Sequence, residues 1–468
     1  MALRDYLAPE DTRQLANAAM EVLAHTGLRV HNNEAADLLL SNGADQEDGR
    51  ILVPKRMVSE ALDKAQSTFR LFGRDGRSIR LGTAATHVGP GSDALYQIDQ
   101  ETGSVRFSTL QDVARNVRLV DALDGFSFVM STALPSGIVD HLYARVFGEM
   151  VRNTSKPMAV TMTTVQDFVE IHEMASIVAG GKEKLRSKPT FLAYLEPRSP
   201  LIFDDSSMQR LLYAAEHEIP YTYASGANCG ITAPVTLQGA VVQGTAECLG
   251  GLVVGTLKNP DARFVFGSNS AGADLRKAWV SYGNPAWHIT TAMYGSLGKY
   301  FNLPSWGTGG ATDSVRVDAH AGAETEEGIL MAVMYGTSLV HDAGFYNYGY
   351  CYDAKYLVFV DALIRRARHH ERSWSFGDWE LCIDEIDTVA RQPEELPGYL
   401  ASEFTARHFR ESTYIPPAIW DVERIDLGVC AALGDRLASE RNRILAEHQP
   451  EPIPAEVRRE LDEYCAKL

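Results

Sequence analysis

Acids, hydroxyls, amides and a histidine recur in this chain at one kind of place, directly after a short apolar run. They are Ser92 and Asp93, Ser131 and Thr132, Thr161 and Thr163, Glu196, Ser225 and Asn228, Ser268 and Asn269, Thr308 and Asp313, and His341 and Asp342. His341 could carry a proton or hold a metal, because imidazole changes charge near neutral pH; it reads equally well as a hydrogen-bonded strand-end residue. Aromatic residues crowd the same positions: Tyr96, Tyr194, Tyr223, Trp306, Phe345, Tyr346, Tyr348 and Tyr350. Rings beside acids suit a quaternary ammonium, whose charge is drawn to ring faces and which cannot donate a hydrogen bond. Any one ring, taken alone, reads more readily as packing. The sequence contains no HExxH and no Cys/His grouping, so no metal site is expected. GxGxxG is absent, and Gly307-Thr308-Gly309-Gly310 and Gly89-Pro90-Gly91 are weak phosphate loops.

The elements that must position these residues follow a repeating pattern. The stretch 303–314, Leu-Pro-Ser-Trp-Gly-Thr-Gly-Gly-Ala-Thr-Asp-Ser, reads as a buried strand that turns at once into a polar loop. Strand candidates lie at 86–89, 125–131, 157–163, 190–194, 220–224, 263–267, 304–307 and 338–341. Helical periodicity fills 110–123, 139–153, 165–178, 206–217, 235–257, 285–301 and 319–335, with 353–367 as an eighth helix. Eight such units predict an α/β fold of the (β/α)8 TIM barrel type, with active groups at the C-terminal strand ends. Residues 1–82 read as an N-terminal helical and hairpin extension, 83–370 as the barrel and 371–468 as a C-terminal helical extension. In the last, helices are expected over 380–390, 399–408, 421–439 and 455–467.

Composition narrows the class. The chain has 468 residues, 45% hydrophobic, enough for a large core. A net charge of −17 argues against nucleic acid, whose recognition needs basic patches. Neither a basic-then-apolar N-terminus nor an uncharged run long enough to cross a bilayer is found, so no membrane role is expected. Six cysteines scattered without a CxxC suggest free thiols in a reducing, cytoplasmic setting.

The motifs Phe72-Gly73-Arg74-Asp75, Gly89-Pro90-Gly91-Ser92-Asp93, Leu195-Glu196-Pro197-Arg198-Ser199-Pro200-Leu201, Leu303-Pro304-Ser305, Gly309-Gly310-Ala311-Thr312-Asp313-Ser314 and His341-Asp342-Ala343-Gly344 span most of the chain. Together they resemble the trimethylamine methyltransferase family, and within it members without pyrrolysine, such as the glycine betaine enzymes. The resemblance implies a homo-oligomeric barrel that moves a methyl group from a methylated amine to the Co(I) corrinoid of a separate small protein. Cobalamin would then be carried by that partner and not held permanently. In the trimethylamine enzymes pyrrolysine falls in the loop after Leu-Pro-Ser, where this chain has Ala311. A quaternary amine needs no such electrophile, which points to a betaine-like substrate.

On that resemblance, His341 and Asp313 are expected to be catalytic. Asp93, Tyr96, Glu196, Tyr223, Asn228, Trp306, Phe345, Tyr346 and Tyr348 are expected to hold the substrate, and Gly309, Gly310, Ala311 and Thr312 to meet the cofactor. The family's usual Lys after Thr-Asp-Ser is Val315 here. Two other classes fit the residues: a non-catalytic barrel that binds or senses a methylated amine, and a hydrolase or lyase using Glu196 and His341 as acid and base.

Overall fold

In a computed structural model, residues 5–83, 85–371, 374–392, 398–420 and 431–468 are described. Among them, seven parallel strands form one sheet: β1 (His87–Val88), β2 (Met158–Thr161), β3 (Phe191–Leu195), β4 (Tyr221–Tyr223), β5 (Phe264–Gly267), β6 (Ser305–Thr308) and β7 (Leu339–His341). Their order is β1-β7-β6-β5-β4-β3-β2. The remaining expected strand, 125–131, forms no ladder, yet it closes the ring. Ser127 N–H donates to Val88 O at 2.7 Å, and Val129 N–H to Pro157 O at 3.0 Å. Ala159 N–H returns a bond to Val129 O at 2.9 Å. The fold is a (β/α)8 barrel whose eighth strand is reduced to these bonds.

The strands are short apolar runs buried on both faces, as parallel strands between helices must be. The helices are α1 (Leu110–Ala122), α2 (Leu142–Asn153), α3 (Val165–Ala179), α4 (Asp205–Glu216), α5 (Leu237–Lys258), α6 (Pro285–Tyr300), α7 (Ala319–Tyr335) and α8 (Ala354–His369). Most begin at a polar cap that satisfies a free N–H: Thr109 with a reciprocal Asp112, then Thr164, Asp204, Thr236, Asn284 before Pro285, Asp318 and Asp353. By length and composition α5 could cross a bilayer, but most of it is buried against the barrel and the N-terminal helices.

Inside the barrel, Phe128, Met130, Ala159, Leu192, Ala224, Val265, Trp306 and Leu339 make a core of their own. Leu71 and Leu81 join it from the hairpin of Phe69–Phe72 and Ser78–Leu81, which plugs the N-terminal end. One end is therefore shut, and the cavity opens at the other.

The helix Pro9–Glu21 packs on α5 and α6, and Lys55–Lys64 on α5. At the C-terminal side, Leu433–Glu447 packs on α8 and α1, and Ala455–Cys465 on α3 and α2. The expected helix over 380–390 is broken at Cys382, whose φ is +56°, into Asp378–Leu381 and Ile383–Ala390. That over 399–408 begins later, as Glu403–Ser412. Residues 421–430 of the expected 421–439 helix lie outside the described residues.

Candidate active site

A cavity of about 830 Å3 lies at the C-terminal ends of the strands. Six of the seven strands contribute to its wall at or just beyond their ends: Ser92 and Asp93 after β1, Thr161 at the end of β2, Tyr194 and Glu196 from β3, Asn228 after β4, Asn269 after β5, and His341 and Asp342 from β7. The long loop after β5 adds Trp279 and Tyr282, and the first turns of α6 add Trp287. In that loop, Ala273–Asp274 pairs antiparallel with Trp279–Val280, so the chain doubles back over the mouth. The loop after β7 adds Phe345, Tyr348 and Tyr350.

His341 is held through its Nδ1. Its Nδ1 lies 3.0 Å from Gly307 O, a group that can only accept, so Nδ1 carries the proton. Nε2 is then an acceptor and faces Asp342 Oδ2 at 3.3 Å. Burial pushes His341 down to about 4 and the Asp342 carboxyl up to about 8. Near neutrality the imidazole is uncharged and the neighbouring carboxyl protonated. Asp342 is held at φ +70°, a strained conformation for a non-glycine residue. Gly91 makes room for the pair: a Cβ there would stand 2.2 Å from Phe345 Cε2 and 2.5 Å from Asp342 Oδ1.

Two further carboxyls face the cavity. Burial raises Asp93 to about 7; Thr161 Oγ1 and Ser92 Oγ each approach it at 3.3 Å. Glu196 is open to the cavity, but the surrounding walls remove bulk water and push its carboxyl upward. Tyr194 OH donates to Glu196 and accepts from Asn269 Nδ2 at 2.5 Å.

The aromatic faces are arranged in two groups. Tyr194 and His341 line the cavity floor over Trp306, the rings tilted to one another, with centroids 5.4 Å apart for Tyr194–His341 and 4.6 Å for Trp306–His341. Tyr282 lies 4.2 Å from Trp287 and 6.1 Å from Phe345 on another wall. An aromatic cavity containing carboxyl groups suits a small organic cation.

A model of the trimethylamine methyltransferase (MTTB) family matches residues 1–468. The chain belongs to this family. Trimethylamine methyltransferase MttB of Desulfitobacterium hafniense (strain DSM 10664 / DCB-2) is 28% identical over 456 residues, covering 96% of this chain and 90% of the relative. Glycine betaine methyltransferase of D. hafniense (strain Y51) is 24% identical over 479 residues, covering 98% and 96%. Among solved structures, the Methanosarcina barkeri monomethylamine methyltransferase MtmB superposes with a TM-score of 0.54 at 11% identity, over all of this chain and 88% of its own. That likeness establishes the fold alone. The family transfers methyl groups, and so the cavity is read below as a methyltransferase site.

Of the residues given a role on the resemblance, six meet in the cavity: Asp93, Glu196, Asn228, His341, Phe345 and Tyr348, joined by the strand-end and aromatic candidates Ser92, Thr161, Tyr194, Asn269, Asp342 and Tyr350. The others lie elsewhere, each for a physical reason. Tyr223 points outward because side chains alternate along β4; its hydroxyl meets Ser207 of α4 at 3.0 Å. Trp306 points inward but sits one layer below, as floor under His341. Tyr96 belongs to a three-stranded sheet beside the mouth and stacks on Phe107 at 5.2 Å. Tyr346 is buried towards α8, 6.3 Å from Tyr356.

The stretch Gly309, Gly310, Ala311 and Thr312 is packed away from the cavity. A Cβ on Gly309 would stand 2.9 Å from Gly328 O of α7, and one on Gly310 2.8 Å from Ile329 Cγ1. Ala311 is buried, and Thr312 Oγ1 donates to Glu324 of α7 at 2.5 Å. Asp313 faces a second hollow alongside, accepting from Ser281 Oγ and, at 2.8 Å, from Tyr282 N–H. It reaches the cavity only through the loop that carries Tyr282.

The sequence reading passed over Arg198, Trp279, Tyr282 and Trp287, all of which line the cavity. The available signals were Arg198's place two residues beyond Glu196 and three large aromatics within nine positions of a loop-to-helix junction.

Proposed function

We propose that this chain demethylates a quaternary amine of the glycine betaine kind and delivers the methyl group to the Co(I) corrinoid of a small partner protein. The observation that supports this most is the cavity wall, where the faces of Tyr194, Tyr282, Trp287 and Phe345 stand among the carboxyl groups of Asp93, Glu196 and Asp342. Sequence identity to the trimethylamine and glycine betaine relatives is too similar to choose between them, so the choice rests on this chemistry.

In the reaction the C–N bond breaks and its electron pair leaves on the tertiary amine, while the electron pair of Co(I) forms the new Co–C bond. No proton is transferred. The chain's residues need only hold the cation, orient the methyl group towards the mouth and exclude water. A neutral His341 tied to Gly307 O is suited to shaping such a site. Asp93, Glu196, Asn228, Phe345 and Tyr348 act as direct contacts in this reading, and Asp313 as a support for Tyr282.

Calorimetry with glycine betaine and its carbon isostere, in which a tert-butyl group replaces trimethylammonium, tests the reading. Glycine betaine should bind and the isostere should bind far more weakly, each well-placed ring contributing on the order of 0.5–2 kcal/mol. Equal affinity would mean that the rings are packing, and the quaternary-amine reading would fall.

A further inference from the structure

The cavity holds more than a cation's surroundings. Arg198 lines it and is exposed to it. Among the described residues its guanidinium has no hydrogen-bond or ion-pair partner, although Glu196 is two positions away. Glu196 instead accepts from Tyr194.

The backbone under Arg198, by contrast, is firmly held. Arg198 and Ile202 exchange two backbone bonds of 2.9 Å. Glu247 of α5 anchors the loop from beneath, accepting from Ser199 Oγ at 2.7 Å and from Leu201 N–H at 2.7 Å. The result is a firmly held loop that presents a free guanidinium to a cavity whose other lining groups are rings, carboxyls and neutral polar side chains. A planar guanidinium is matched by a carboxylate, which it can engage with two parallel bonds.

We infer that Arg198 is a specificity-determining residue that takes the carboxylate of a zwitterionic substrate. The substrate class is then a quaternary ammonium carboxylate, not a simple quaternary amine or an amino alcohol. This rests on the proposed function and adds to it which end of the substrate is read, and by what. It also gives a physical reason for turning away a tetraalkylammonium ion, which would leave the guanidinium unpaired.

The test is calorimetry on the full chain with glycine betaine, choline and tetramethylammonium, on wild type and on Arg198→Met and Arg198→Lys. Circular dichroism melts check that each variant folds. Wild type should prefer glycine betaine. Arg198→Met should lose roughly ten- to a hundredfold in glycine betaine affinity, the range for a hydrogen-bonded charge, and little for tetramethylammonium. Arg198→Lys should recover part of the loss, because an ammonium keeps the charge without the fork. A folded Arg198→Met that binds glycine betaine as wild type does would overturn the assignment. So would a wild type that binds all three ligands alike, and in that case the quaternary-amine reading would survive. A wild type that binds none of them would overturn both.

Discussion

Two loops follow barrel strands and look alike on paper. One is 309–314, rich in glycine and ending in Thr-Asp-Ser; the other is 196–201, Glu-Pro-Arg-Ser-Pro-Leu. The first is folded against α7, where its glycines let the two backbones approach. The second is gripped at its backbone by Glu247 and turns Glu196 and Arg198 to the cavity. Glycine reports that something comes close, and what a Cβ would strike decides whether that is a ligand or a helix. Here it is a helix, and none of Gly309, Gly310, Ala311 and Thr312 lines the cavity.

The largest effect should come from breaking the first loop. Gly310→Val puts a branched side chain at φ +81° and against Ile329. It should cost about 3 kcal/mol or more in stability, read as a lower thermal midpoint, with ligand affinity unchanged in the fraction that folds. Normal stability with lost binding would mean that the loop belongs to the site after all.

Next is the anchor of the second loop. Glu247→Ala leaves Ser199, Ser225 and the Leu201 N–H without their acceptor. A loss of about 1–3 kcal/mol in stability is expected, with weaker substrate binding as Arg198 loses its fixed position. Glu247→Gln keeps acceptor oxygen and bulk and should restore much of both. Binding that survives Glu247→Ala intact would show that the loop needs no such anchor.

A smaller effect is expected from Tyr194→Phe, which keeps the ring but removes the hydroxyl shared by Glu196 and Asn269. Cation affinity should change by about 1 kcal/mol in titration calorimetry, far less than on Tyr194→Leu, which also removes the aromatic face.

Acidity gives the gentlest probe. Burial raises Asp93 to about 7 and Asp342 to about 8, so both lose protons as pH rises through that window. Affinity for tetramethylammonium should therefore climb between pH 6 and 9, and Asp342→Asn should remove the upper part of the rise. The same groups act oppositely on stability. Their folded pKa values lie above the unfolded ones, so their contribution is full below about pH 4 and is lost as pH rises through 7 and 8. A flat binding profile would mean that neither carboxyl faces the cation.

The barrel was legible because buried parallel strands and capped helices leave strong local signals. The strand at 125–131 was placed correctly and still forms only bridging bonds, a matter of pairing geometry that composition does not carry. Strand ends such as Asp93, Glu196 and His341 could be read, because the fold rule puts them at one rim. Tyr223 and Trp306 could not be placed without knowing which face of each strand looks inward and how deep. Tyr282 and Trp287 were missed because the loop after β5 folds back over the mouth, a tertiary arrangement without a sequence period.

The central claim, that a quaternary amine is the methyl donor, is tested most directly by following cobalt. The full chain is mixed with chemically reduced cob(I)alamin and either glycine betaine or trimethylamine, and the absorbance of methylcobalamin is recorded over time. The account predicts methylcobalamin with glycine betaine, matched mole for mole by dimethylglycine, and none with trimethylamine. Methylation from trimethylamine, with glycine betaine inert, would contradict it.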